Sequence, residues 1–244
     1  MRPIALARLL QLSSQALPIG GYSHSQGLEA AIEREIVRDE SSLLRWIADV
    51  LAFSMSSFEI PCLLSMAAAW ARSDAAGAAA LNDEYLSSRE SAEMRAATVQ
   101  MGFSLRALLC VLPDLAAGSA DALCSIREPS LPCVWSAAAA AWQIEPREAV
   151  MGYLWAWAEN QVLVAAKAVP LGQSAGQRVL LAVGAKLADL AAQSDAGEMG
   201  ASEIGAGEAG AGAMAGTSSE SNFCPGLAIL SSQHETQYSR LFRS

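Results

Sequence analysis

PREAVMGYLWAWAENQVLVAAKAV, residues Pro146 to Val169, is the longest helical pattern in the chain. Pro146 fits the first turn of a helix, where its missing N–H costs nothing. Val150, Leu154, Trp157, Gln161, Val164 and Ala168 then recur at three- and four-residue steps and share one face. The middle is interrupted by Glu159, Asn160 and Gln161, set between Trp157 and Val162. Polar groups at that point of an apolar helix must be hydrogen-bonded if they are buried. Pro170 stops the pattern.

Working outward, a last helix is expected from Gln173 to about Gln193, with Leu180, Gly184, Leu187 and Ala191 on one side. On the other side, Pro113, Pro129 and Pro132 mark breaks, and Pro132 can open a helix as Pro146 does. A long helix from Leu81 carries Arg89, Glu90, Glu93 and Arg95 and turns apolar after Val99. Glu90 and Glu93 can reach Arg89 or Arg95, and a solvated charged face is the expectation. Pro61 can start a helix running to about Arg72. Asp39 stands at an N-cap before Leu43, Leu44, Ile47, Val50 and Leu51. Leu28, Ile32 and Ile36 suggest a helix that begins near Ser25. No two-residue alternation persists, so the expectation is all-α. It comprises a single globular helical domain over 1–194, a flexible Gly/Ala/Glu-rich insert over 195–222 and a C-terminal binding tail over 223–244.

The insert holds seven glycines, five acids and no base, so more than half of the net charge of −9 sits there. The remainder is mildly acidic, which argues against a phosphate-neutralising nucleic-acid binder. At 52% hydrophobic and 17% charged, the chain hides much of its surface, in a core or against partners. The five cysteines show no C-x-x-C spacing. Arg8 interrupts the short apolar run from Ile4 to Leu12, so no signal peptide is expected. No uninterrupted apolar run reaches the roughly 18 residues of a membrane span. Reduced thiols and a cytoplasmic location are the expectation, with no membrane partner.

Three chemistries lack residues that they need. Gly21-Tyr22-Ser23-His24-Ser25 approaches a nucleophile elbow, but Ser25 replaces the final glycine and no strand precedes it. Gly172-Gln173-Ser174-Ala175-Gly176-Gln177-Arg178 lacks the Lys-Ser/Thr pair of a phosphate loop, and small residues for close helix packing explain it better. His24 and His234 have no ligand partner at i+3 or i+4, and nothing resembles a closed zinc site. No catalytic residue, metal site or stably bound cofactor is expected.

After the sparse insert the chain regains chemistry in SSQHETQYSRLFRS, Ser231 to Ser244. That composition suits an end docked on its own domain and a peptide kept for a partner equally well.

Four segments, in order, resemble the urease accessory protein UreF family: LPIGGYSHSQGLE (Leu17 to Glu29), EMRAATVQMGFSL (Glu93 to Leu105), ENQVLVAAKAVPLGQSAGQ (Glu159 to Gln177) and PGLAILSSQHETQYSRLFRS (Pro225 to Ser244). The family more often has a basic or small residue near Phe103, and the insert before Pro225 is expanded here. The resemblance implies an all-α protein without catalytic activity of its own. It implies an adaptor, often homodimeric, that joins a UreD/UreH-type accessory protein and the GTPase UreG on apo-urease. That assembly delivers nickel and carbon dioxide to the site where a carbamylated lysine bridges two nickel ions. Nickel would then be handled by the complex and GTP by the partner GTPase. The alternative is a self-sufficient nickel-binding metallochaperone. Carried over residue by residue, the resemblance makes Tyr238, Arg240, Leu241, Phe242 and Ser244 contacts to the UreD-type protein. It places Tyr22, Ser23, His24 and Glu29 near a GTPase-facing or dimer surface, although Glu29 could instead strengthen a helix N-terminus.

Overall fold

The computed structural model describes residues 2–112, 117–201 and 224–243. Ser244 and residues 202–222 of the expected insert lie outside the described residues. Among the described residues all regular structure is helical, as expected. The order is α1 (Pro3–Leu12), a single 3-10 turn (Gly21–Ser23), α2 (Leu28–Glu33), α3 (Glu40–Val50), a π-helical stretch (Leu51–Glu59), α4 (Ile60–Ala71), α5 (Ala75–Ser87), α6 (Ala92–Val111), α7 (Ala117–Ser125), α8 (Leu131–Ala141), α9 (Pro146–Ala168), α10 (Gln173–Ala201) and α11 (Pro225–His234).

Helix α9 is the central post. Val150, Leu154, Trp157, Gln161 and Val164 are buried along the expected face, and α10, α2, α1, α3, α4 and α8 pack around it. Gly176 is where α10 closes on α9: a Cβ there would lie 3.0 Å from Val162 Cγ1, so the small residue permits the approach. Helix α10 runs on to Ala201, past the expected linker start at Asp195. The stretch Leu190 to Ala201 contains no proline, and extending a helix costs far less than starting one.

Asp39 caps α3 as expected. Its carboxylate accepts from Ser42 N at 2.8 Å, and Ser42 Oγ accepts from Asp39 N at 3.0 Å, a reciprocal capping box. Pro61 does not open a separate helix. The rod is continuous from Glu40 to Ala71, and the wider π stretch lies immediately upstream of the proline, whose absent N–H it accommodates. This rod is long and apolar enough to span a bilayer, but 56% of its most apolar window is buried within the domain. Leu51, Met55, Phe58, Leu63 and Met66 all point into the core.

Other elements also depart from expectation. Helix α2 starts at Leu28 because Gly27 before it takes φ 87°, a conformation that favours glycine. It ends at Glu33, so Ile36 is exposed and Val37 is buried in its place. The long helix from Leu81 is two helices, broken over 88–91. Ser91 caps α6 by accepting from Met94 N at 3.1 Å, and a serine offered as a cap competes with continued helix. Finally, Arg89 is not on a solvated face. It is buried against Glu59 at the end of the π stretch, 3.3 Å from Glu59 Oε2, with its guanidinium 4.2 Å from the Tyr85 ring centroid. Glu59 Oε1 also accepts from Tyr85 Oη at 2.7 Å and Tyr153 Oη at 2.5 Å. Arg95 pairs with Glu128 at 3.1 Å instead of a neighbouring carboxylate on its own helix.

Candidate functional site

The polar interruption in α9 positions the N-terminal signature. Asn160 Nδ2 donates to His24 O at 2.9 Å and Gln161 Nε2 to Ser25 O at 3.2 Å, while Gln161 Oε1 accepts from Trp46 Nε1 at 3.1 Å. These bonds engage both amides and fix the backbone of 24–25 just ahead of α2, with Asn160 Oδ1 left as a buried acceptor without a partner. Ser23 Oγ donates to Gly20 O at 2.7 Å, closing the turn on itself. His24 is buried, and burial first and the Arg243 charge second lower its pKa to about 4.

Onto this platform the C-terminal segment is folded. Helix α11 packs against α2 and α6, with Leu227, Leu230 and Ser231 buried. Ser231 Oγ lies 2.6 Å from Ser91 Oγ at the cap of α6. The centre is Glu29, only 5% exposed. Its Oε1 accepts from Leu241 N at 2.6 Å, and its Oε2 accepts from Phe242 N at 3.1 Å and faces His234 Nε2 at 2.8 Å. The opposite ring nitrogen of His234 faces Glu93 Oε2 at 2.7 Å, and Glu93 Oε1 accepts from Arg240 Nη1 at 2.8 Å. His234 is completely buried. A carboxylate only accepts, so both contacts are hydrogen bonds when the imidazole carries a proton on each nitrogen or one carboxyl is protonated.

The clamp is closed by backbone and ring contacts. Arg243 N donates to Ser23 O at 2.8 Å, and Arg240 Nη2 donates to Glu235 O. The Lys167 ammonium lies 5.4 Å from the Phe242 ring centroid and 5.8 Å from that of Tyr22, a cation held between two aromatic faces. Glu235 reaches the N-terminus of α6, accepting from Glu93 N at 3.4 Å.

The nine residues carried over from the resemblance therefore separate. Ser23, Glu29, Arg240 and Phe242 are drawn into one network, with Phe242 itself buried. His24 lies beneath it. Tyr22 is 58% exposed, Leu241 70% and Tyr238 fully exposed, so these three side chains face outward from the clamp. Ser244 lies outside the described residues. Glu93, His234 and Lys167 join the same site, a membership that no local sequence pattern announced for His234 and Lys167. For Glu93 the signal available was Ser91 with Glu93 at a helix start, a pattern masked by the expectation of one long helix from Leu81. Among the described residues, no three His, Cys, Asp or Glu side chains form a group able to hold a metal ion.

Fold and site together define a class: an all-helical protein whose C-terminal segment is locked onto an N-terminal signature by a buried Glu–His–Glu–Arg chain. The UreF family profile matches residues 37–184. The chain is 48% identical over 242 residues to the urease accessory protein UreF of Dechloromonas aromatica (strain RCB), covering 99% of this chain and 98% of that protein. It is 49% identical over 243 residues to the protein of that name in Azoarcus sp. (strain BH72), with 99% and 96% covered. The protein of that name in Methylobacillus flagellatus is 43% identical over 243 residues, with 98% of each chain covered. The chain belongs to the UreF family.

Proposed function

We propose that this chain serves urease maturation as a non-catalytic adaptor. It joins a UreD/UreH-type accessory protein and a UreG-type GTPase on apo-urease in the cytoplasm, as a homodimer. Nickel is carried by the assembled complex and GTP by the GTPase, with neither held stably by this subunit. The observation that carries the reading is similarity over essentially the whole chain to proteins named urease accessory protein UreF. The geometry supports it: a clamp that fixes the tail backbone from within leaves Tyr22, Tyr238 and Leu241 directed outward, and rigidly presented aromatic and aliphatic side chains are good interface anchors. On this reading Tyr238, Leu241 and Arg240 meet the UreD-type protein, and Tyr22 with the 23–29 turn borders a second partner surface.

The test is co-purification of the full chain, and of a chain ending at Leu230, with the UreD-type protein. Circular dichroism of both forms confirms that the helices persist. The truncated chain is expected to lose the partner. An intact complex with a folded truncated chain would remove the tail from the interface. Equilibrium dialysis against nickel separates the adaptor from a self-sufficient nickel carrier, because the adaptor retains no tight stoichiometric metal.

A further inference from the structure

Cys110 and Cys124 take no part in the clamp or the core, yet they meet. Their sulfur atoms are 3.3 Å apart, both residues are exposed, and they belong to different helices, α6 and α7. The meeting is built rather than incidental. Leu109 and Leu123, each the residue preceding one of the cysteines, are completely buried, and α6 and α7 pack against each other. Arg106, one turn before Cys110, donates through Nη1 to Ile126 O at 2.6 Å and Leu123 O at 3.4 Å, tying the end of α7 to α6. Its guanidinium also stacks 4.6 Å from the Phe103 ring centroid, which fixes its reach. The other cysteines are set apart by burial: Cys62 and Cys133 are inside the core, and Cys224 is half-buried at the start of α11.

We propose that Cys110 and Cys124 are a thiol-oxidation site, converted to a reversible intramolecular disulfide by low-molecular-weight disulfides of the glutathione class. A disulfide needs its sulfurs about 2.05 Å apart, so closure requires a shift of only about 1.2 Å, within reach of side-chain rotation. The exchange balances in two steps. One cysteine thiolate attacks the oxidant's S–S bond, forming a protein–glutathione disulfide and releasing one glutathione thiolate, which takes up a proton. The second cysteine thiolate then attacks the protein-side sulfur, forming the Cys110–Cys124 bond and releasing the second glutathione. The protein is oxidised by two electrons and loses two protons, and the oxidant becomes two thiols. Partial desolvation by its surroundings first, and the neighbouring Cys124 thiol next, raise the Cys110 pKa, so the reaction quickens as pH rises. A solvent-facing pair of this kind is reducible, as a transient modification in a reducing compartment must be.

The experiment treats the full chain with oxidised glutathione at pH 8 and maps peptides without reduction. The expected result is a link between the Cys110 and Cys124 peptides, a mass lower by about 2 Da, and reversal by dithiothreitol. The Tm of the oxidised chain should rise by about 5 °C, because closing a loop of this length constrains the unfolded chain. Cys110→Ser and Cys124→Ser should each retain a glutathione adduct on the remaining thiol and show no rise. A stable adduct in the unaltered chain without the internal link overturns the proposal. So does a link between two chains, or one that engages Cys62, Cys133 or Cys224. A link that lowers Tm also overturns it, since the native geometry would then not hold the bond.

Discussion

Two buried carboxylates organise this molecule, and they hold different things. Glu59 sits inside the domain, where the π stretch turns it toward Arg89, Tyr85 and Tyr153. Glu29 sits under the tail and receives two consecutive backbone N–H groups and an imidazole from residues more than two hundred positions away. The bonding chemistry is the same: a desolvated carboxylate surrounded by donors. The connectivity is not. Every partner of Glu59 is a buried side chain inside the domain, Tyr85 on α5, Tyr153 on α9 and Arg89 in the break between α5 and α6, so its network can be lost only with the fold. Every partner of Glu29 belongs to the chain terminus, so its network can open while α1–α10 stay packed. Identical chemistry thus makes a structural knot in one place and a latch in the other.

The largest effect expected is at the knot. Glu59→Ala strands the Arg89 guanidinium in the core and leaves two tyrosine hydroxyls without their acceptor, and should cost about 3–5 kcal/mol of global stability. Urea unfolding followed by circular dichroism measures it. A double variant, Glu59→Leu with Arg89→Met, should recover most of the loss, because replacing both members of a buried pair removes the uncompensated charge. If the single variant unfolds at the wild-type midpoint, Glu59 does not hold the core.

The latch should respond locally. Glu29→Ala removes three hydrogen bonds to the tail and should weaken its docking by about 3 kcal/mol. Hydrogen exchange of the Leu241 and Phe242 amides reports this directly, while amides of α9 should keep their protection. A global collapse equal to that of Glu59→Ala would show that the tail is an inseparable part of the core, and that latch and knot are one structural unit.

Much of the scaffold was legible. The buried face of α9 followed from spacing alone, and its polar interruption correctly announced buried, hydrogen-bonded amides, because a 3.6-residue period and the cost of unpaired polar groups are local rules. The knot was not legible. Arg89 and Glu59 are thirty residues apart, and no local rule distinguishes an arginine that will be buried from one that will be solvated. The latch was half legible. The two signature segments stood out as chemistry-rich, but their mutual contact depends on a fold that brings α2, α6 and α11 together. The break at 88–91, hidden by continuous helical propensity, kept Glu93 from being read as part of the site.

A smaller effect separates charge from backbone in the latch. Arg240 is one-third exposed and bonds Glu93 from the outside. Arg240→Ala should therefore cost about 1 kcal/mol of tail docking, with tail amides exchanging several-fold faster and no change in urea midpoint. An effect as large as that of Glu29→Ala would mean that the Arg240 ion pair, and not the capture of backbone N–H groups, closes the latch.

The smallest effect is electrostatic and ties the latch to pH through His24. Burial holds Tyr85 and Tyr153 neutral far above neutral pH, so neither titrates in the acid range. His24 does. Its pKa is lowered to about 4 from a model-peptide value of 6.5, chiefly by burial and secondarily by Arg243. A base with a depressed folded-state pKa binds fewer protons when folded. The stability it reflects is therefore complete above about pH 6.5 and is lost as pH falls toward 4. Because Arg243 is bonded to Ser23 O when the tail is docked, protonating His24 places two cations together and loosens the tail. Arg243→Ala should thus raise the His24 pKa above 4 yet leave it below 6.5, since burial remains. An NMR titration of the His24 ring reads that shift. Tail protection, corrected for intrinsic exchange, should then decline less steeply between pH 6.5 and 4 in the variant than in the wild type. An unmoved titration would confine the His24 shift to burial and leave His24 unlinked to the docked tail.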